Sequence, residues 1–175
     1  MIGLTYKSKI FNEISTSEGK EKFIEYIKIC SVGNLPKKLE EFKKSKAIKS
    51  ISLFSGMGGD SLGIINAGLE LVAYSEWEED MRKTHELNFP NTKLIGCGDI
   101  TKTTDDEFLE YKDSVNLIFA GFPCQGFSMS GHRIVADPRN SLYLDMLEIV
   151  RRLQPDFVVL ENVVGLRSML GGGVE

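Results

Sequence analysis

From Lys49 onward, short apolar runs alternate with stretches whose apolar positions recur at helical spacing. The β-prone runs cover Ser50 to Phe54, Leu71 to Ser75, Lys93 to Ile95, Leu117 to Ala120 and Phe157 to Leu160, and predict five strands. Helices are expected between them. The first covers Asp60 to Ala67 and is closed by Gly68 at C′. The next covers Glu78 to Asn88 and is broken by Pro90. A polar segment over Thr103 to Tyr111 reads as partly helical. Leu142, Met146, Ile149 and Leu153 share one face of a helix over Ser141 to Leu153, which Pro155 ends. Strands alternating with helices predict an α/β fold, a mostly parallel sheet with helices on both faces.

Residues 1–48 do not share this rhythm. Phe23, Ile24 and Ile27 fall at helical spacing within Glu21 to Cys30, and Leu39 with Phe42 suggests a second helix after Pro36. The chain therefore divides into a helical N-terminal extension, 1–48, and an α/β domain, 49–175.

At 175 residues, 42% hydrophobic and 26% charged, the chain can bury a substantial core. No apolar stretch approaches the ~20 residues of a membrane span, and no charged-then-apolar leader opens it, so an intracellular protein is expected. Cys30, Cys97 and Cys124 are scattered and accompanied by only two histidines, His85 and His132. That pattern argues against a disulfide framework or a zinc site, and no metal is expected. Both histidines read as structural or surface residues. The formal charge is −4, yet residues 1–50 carry net +5 and residues 51–175 net −9. The basic part reads as a lysine-rich solvated helical face. The alternative is that a phosphate-gripping surface is mostly absent from this chain.

Three segments carry candidate chemistry. Gly121-Phe122-Pro123-Cys124-Gln125-Gly126-Phe127-Ser128 places a thiol on a tight loop directly after a buried strand, where ligands of open α/β sheets gather. A lone cysteine is otherwise a small buried hydrophobe. Phe54-Ser55-Gly56-Met57-Gly58-Gly59 is a glycine loop turning into a helix, whose N-terminal amides suit a carboxylate. It is also nearly a dinucleotide fingerprint, with Glu76 twenty residues after Gly56, so a nicotinamide-dependent oxidoreductase is a rival on that region alone. Glu161-Asn162-Val163 follows the fifth predicted strand.

These three segments, in this order, resemble the DNA cytosine-5 methyltransferase family over about Ile48 to Gly172. The resemblance implies a Rossmann-like S-adenosylmethionine-dependent methyltransferase sheet acting on double-stranded DNA. It assigns Phe54, Ser55, Gly56, Met57, Gly58 and Gly59 to S-adenosyl-L-methionine, Glu76 to its ribose hydroxyls and Trp77 to its adenine face. Asp99 and Ile100 would meet the adenine edge, and Pro123 and Leu142 would line the same pocket. Without the resemblance, Trp77 could equally be core packing. Cys124 is the implied nucleophile at carbon 6 of a cytosine rotated out of the duplex. Glu161 would engage N3 and the exocyclic amine as a protonated, buried carboxyl; Asn162 would orient the cysteine loop. Gln125, Ser128, Ser130, Arg133 and Arg139 would face DNA. For each arginine a solvated surface role is the alternative, as an exposed strand end is for Glu161.

A full family member continues beyond Asn162 with an arginine-bearing strand, further sheet strands and a domain that reads DNA sequence. The sheet is therefore expected to be incomplete at its C-terminal side, with the fifth strand at or near an exposed edge that invites a second polypeptide. The segment Tyr26 to Pro36, with its Gly33-Asn34 turn, looks like the family's last motif and would make the chain circularly permuted. Three functions follow: the catalytic portion of a split methyltransferase, an inactive relative that binds only cofactor or partner, or a nicotinamide enzyme.

Overall fold

The structure, a computed structural model, describes residues 2–5, 40–123 and 142–162. Its sheet has six strands: β1 (Ile2–Thr5), β2 (Lys49–Leu53), β3 (Glu70–Ser75), β4 (Lys93–Leu94), β5 (Leu117–Ala120) and β6 (Phe157–Leu160). Their spatial order is β1-β6-β5-β2-β3-β4. The five strands from β2 onward run parallel, and β1 alone pairs antiparallel, with Ile2 opposite Leu160 and Thr5 opposite Phe157.

Alternation along the central strands explains the layers. Ile51, Leu53, Ile118, Ala120, Val158 and Leu160 enter one core, while Leu117, Phe157 and Val159 enter the other. Successive side chains leave opposite faces of a strand, so an unbroken apolar run means both faces are covered. On the first face lie α3 (Asp105–Leu109) and α4 (Leu142–Leu153). Met146, Ile149, Val150 and Leu153 of α4 are buried, at the i, i+3, i+4, i+7 spacing of one helical stripe. Each such side chain contributes roughly 2 kcal/mol by leaving water.

The opposite face carries α1 (Gly59–Asn66), α2 (Glu79–Asn88) and a helical turn at 40–43. Ile64 of α1 joins the second core, and Phe42 packs edge-on against Phe157 at 5.1 Å. The C-terminus of α1 is a Schellman motif: Gly68 N–H bonds to the Ile65 carbonyl and Leu69 N–H to that of Ile64. The Gly68 stop was legible in the sequence.

One expectation changes and another narrows. The N-terminal region is not helical throughout, since Ile2–Thr5 is a strand. Consequently β6 lies near the edge but not at it: β1 pairs along its outer side and β5 along its inner side. The Tyr26 to Pro36 segment lies outside the described residues, as do Phe23, Ile24 and Ile27.

Candidate functional site

The carboxyl ends of β2 and β3 build the first half of the site. Leaving β2, the chain passes Phe54 at φ 60 and turns through Ser55 to Gly58 into α1. Ser55 N–H is anchored to the Ser75 carbonyl at 2.9 Å, and Gly58 N–H closes back on the Ser55 carbonyl at 2.9 Å. Glycine is required at 58: φ is 98, and a Cβ there would lie 2.3 Å from the Phe89 ring. At Gly56 and Gly59 a Cβ would meet nothing within 4 Å, so the loop leaves open space on that side.

Glu76 follows β3 and is 7% exposed. Its carboxylate accepts from Gly56 N–H and Glu78 N–H, each at 2.8 Å. The twenty-residue spacing between Gly56 and Glu76 is thus one hydrogen bond linking two strand ends. Each carboxylate oxygen retains acceptor capacity for a hydroxyl donor. Trp77 is 64% exposed, which excludes core packing and leaves its indole free to stack.

The Gly96 to Asp99 turn comes against this edge from β4. Gly98 sits so close that a Cβ would lie 2.2 Å from the Glu76 carbonyl oxygen. Asp99 is opposed by burial, which raises its pKa, but the Thr101 hydroxyl, Lys102 and the Thr101 amide outweigh this and hold it below the usual carboxylate value. Thr101 Oγ1 donates at 2.7 Å and Lys102 Nζ lies at 3.0 Å. Ile100 is buried in the first core, against which Phe54 also packs. Met57 is exposed. Leu142 opens α4, half-buried.

The second half lies at the ends of β5 and β6. Asn162 Nδ2 donates to the Phe122 carbonyl at 3.0 Å, tying the strand end after β6 to the segment entering the cysteine loop. Glu161 N–H bonds to the Ala120 carbonyl at 2.9 Å, and its side chain is exposed beside Gly121 rather than buried as expected. Pro123 is half-buried. Cys124, Gln125, Ser128, Ser130, Arg133 and Arg139 lie outside the described residues.

Sequence reasoning missed a polar cluster beneath the glycine loop. Asp60 accepts from Ser52 Oγ, from Ser55 Oγ at 3.2 Å and from its neighbour's amide, Ser61 N–H, at 2.8 Å. Burial raises the Asp60 pKa, while these donors oppose the rise. Ser55 and Ser61 hydroxyls are 2.9 Å apart, and Ser61 Oγ is 2.9 Å from Nε2 of His85. His85 is 0% exposed and stacked on Tyr74 at 3.6 Å. Burial lowers its pKa to about 4, against the opposing pull of Glu86. An aspartate one residue after a glycine loop, with serines on the preceding strand, was the available signal. A cleft of about 440 Å³ between β4 and α3, lined by Lys93, Asp106 and Glu110 among others, contains none of the expected site residues.

Among the described residues no His, Cys, Asp and Glu cluster could hold a metal, and no helix is long and apolar enough to cross a membrane.

A family model described as C-5 cytosine-specific DNA methylase matches residues 48–172. Type II methyltransferase M.HpaII of Haemophilus parainfluenzae is 41% identical over 119 residues, covering 67% of this chain and 32% of that protein. M.DdeI of Desulfomicrobium norvegicum is 40% identical, covering 68% and 28%. The chain therefore spans about a third of the length of these relatives. For M.AquIA of Picosynechococcus sp., 40% identical, the share is 49%. Among solved structures, a DNA modification methyltransferase encoded within a prophage (E. coli) aligns with a TM-score of 0.57 and 32% identity, over 71% of this chain and 36% of that one. A mutant of Spodoptera frugiperda DNMT2 aligns with a TM-score of 0.55 and 28% identity, over 70% and 37%. The sheet is thus that of the S-adenosylmethionine-dependent methyltransferases.

Proposed function

The chain belongs to the C-5 cytosine-specific DNA methylase family, and from that premise we propose that it is the cofactor-binding, nucleophile-bearing portion of a DNA cytosine-5 methyltransferase. The observation that carries the reading is the Glu76 carboxylate, held by the Gly56 and Glu78 amides beside an exposed Trp77, on the sheet edge where Glu161 and the Asn162–Phe122 bond also lie.

The residues present suit the cofactor. At the N-terminus of α1 the open side of Gly56 and Gly59 leaves room for a ligand carboxylate, and of the loop amides those of Met57 and Gly59 are not spent on Ser75, Glu76 or Ser55. Glu76 offers acceptors to a ribose diol, Trp77 an apolar face, and Asp99 an ionised acceptor for an amino group. S-adenosylmethionine, when bound, supplies the methyl group.

Carbon 5 of cytosine is a weak nucleophile until carbon 6 is attacked. In this reading the Cys124 sulfur bonds carbon 6 of a cytosine rotated out of double-stranded DNA, and carbon 5 takes the methyl. Loss of the carbon 5 proton and departure of the sulfur then restore the ring. Glu161 stabilises the charge that builds at N3, and Asn162 anchors the start of the cysteine loop. Gln125, Ser128, Ser130, Arg133 and Arg139 meet the nucleic acid. A carboxyl that donates to N3 needs a covered site, and Glu161 is exposed here. That favours completion of the site by further polypeptide, supplied by a second chain together with the part that reads sequence.

Calorimetric titration tests the pocket. Saturable S-adenosylmethionine binding, weakened by Glu76→Ala at least roughly tenfold, the scale of a lost charged hydrogen-bond acceptor, is expected. No binding, or binding indifferent to Glu76 and outcompeted by NADH, rejects the reading. The chemistry is tested by a covalent adduct with 5-fluorocytosine DNA, formed with cofactor and a completing partner and lost in Cys124→Ser.

A further inference from the structure

α2 has little apolar attachment to the sheet; His85 is its buried residue. Polar side chains do the holding: Glu86 accepts from Tyr74 OH of β3 at 3.2 Å, and Arg82 and His85 reach the loops of the site. Arg82 donates through Nη1 to the main-chain oxygens of Glu76 at 3.1 Å and Trp77 at 2.6 Å. Its Cδ would lie 3.2 Å from a Cβ on Gly98. His85, one turn later, places Nε2 at 2.9 Å from Ser61 Oγ and lays its ring on Tyr74. Its Cδ2 would lie 3.0 Å from a Cβ on Gly58.

The His85 bond has a direction. Nδ1 is buried and has no partner, and an orphaned N–H is rarer and costlier than an orphaned acceptor. The proton therefore sits on Nε2 and is donated to Ser61. The Ser61 hydroxyl is then free to donate to Ser55, and that of Ser55 to Asp60. The chain runs one way, from α2 beneath the glycine loop, and ends on a carboxylate.

We propose that Arg82 and His85 are positioning residues that set the two halves of the cofactor pocket separately, Arg82 the adenosine half and His85 the methionine half. The proposal rests on the S-adenosylmethionine reading above. Arg82 grips the main chain of the two residues whose side chains face ribose and adenine. His85 acts through Ser61 on Ser55 and packs under Gly58, the ends of the loop that on this reading faces the methionine carboxylate. Neither side chain needs to touch the ligand.

The experiment compares S-adenosylhomocysteine with 5′-methylthioadenosine, which shares the adenosine and lacks the amino-acid end, by titration of the full chain and its variants. Arg82→Met keeps the aliphatic stem and removes the donors; it should weaken both ligands by a similar factor, roughly five- to tenfold for one or two lost hydrogen bonds. Arg82→Lys should recover part of that. His85→Phe keeps the stack and removes the donor; it should weaken S-adenosylhomocysteine roughly fivefold and leave 5′-methylthioadenosine unchanged. Ser61→Ala cuts the same link from the other side and should behave alike, while His85→Gln, which keeps a donor, should stay near the parent. A purely structural role would lower both ligands together with the melting temperature. Equal loss of both ligands in His85→Phe and Ser61→Ala, or no loss in Arg82→Met, overturns the proposal. A parent chain that binds neither ligand overturns the cofactor reading itself and the proposal with it.

Discussion

Single residues at the site answer to geometry more than to their chemical type, and two glycines separate the effects. Gly98 combines φ 88 with a main-chain oxygen 2.2 Å from any added Cβ. Gly98→Ala should therefore cost at least about 2 kcal/mol, from left-handed strain plus displacement of the Glu76 carbonyl, and should lower the urea midpoint measurably. Gly59→Ala should behave oppositely: residue 59 begins α1 and a Cβ there meets nothing. Its stability should hold or rise slightly, while titration should show weaker S-adenosylmethionine binding, because the methyl enters the open side of the loop. If Gly59→Ala binds as the parent does, the ligand does not lie against that loop. Legibility at this scale was uneven. Gly56, Glu76 and Trp77 could be named from spacing and resemblance, but Asp60 and His85 could not. Polar residues read as solvated by default, and only tertiary structure brings Ser52, Ser55, Ser61 and His85 under one loop.

At the scale of elements, strands β2 to β6 and the helices between them were legible because local pattern and tertiary environment agree. The Phe157–Leu160 run is apolar throughout and is buried on both faces. α2 was legible for a weaker reason, its boundaries rather than its stripe, since its inner face is polar. Its attachment through neutral His85 gives it a pH dependence. The His85 pKa lies near 4 in the folded protein against an ordinary value of 6.5. Between these values the unfolded chain binds the extra proton and the folded one does not, so stability falls as pH drops through that window. The ring faces Ser61 of α1, Tyr74 of β3 and Phe89, with Glu86 on its own helix as the nearby carboxylate that opposes the shift. Asp60 contributes with the opposite sign, since burial raises its pKa and penalises its charged form as pH rises. Subtracting the urea midpoints of the parent and His85→Phe at each pH isolates the histidine. The difference should change steadily from pH 6.5 to 4 and be flat above 7, and a flat difference throughout would mean that His85 is not buried neutral.

For the molecule as a whole, the decisive feature was the least legible one. Ile2–Thr5 has no flanking pattern that marks a strand, and its conformation comes from pairing with residues more than 150 positions away. That pairing covers the edge of β6, which would otherwise present an unpaired row of main-chain groups along the apolar Phe157–Leu160 run, a template for association. On the proposed reading the parallel order of the sheet is enough to account for the site, because in sequence Cys124 and Glu161 come after the neighbouring strands β5 and β6. β1 matters for how the site is completed. If a further polypeptide completes the site as proposed, it must add outside β1, displace it, or dock on the carboxyl edge without extending the sheet at β6. Removal of residues 2–5 discriminates among these. The truncated chain should show faster amide exchange within 157–160 and concentration-dependent association by light scattering, since the exposed strand pairs with copies of itself. If a completing partner binds the truncated chain more tightly than the parent and restores protection to 157–160, the partner competes for the place of β1. If its affinity is unchanged, it docks elsewhere, and Glu161 is covered from the loop side of the sheet rather than by a new strand.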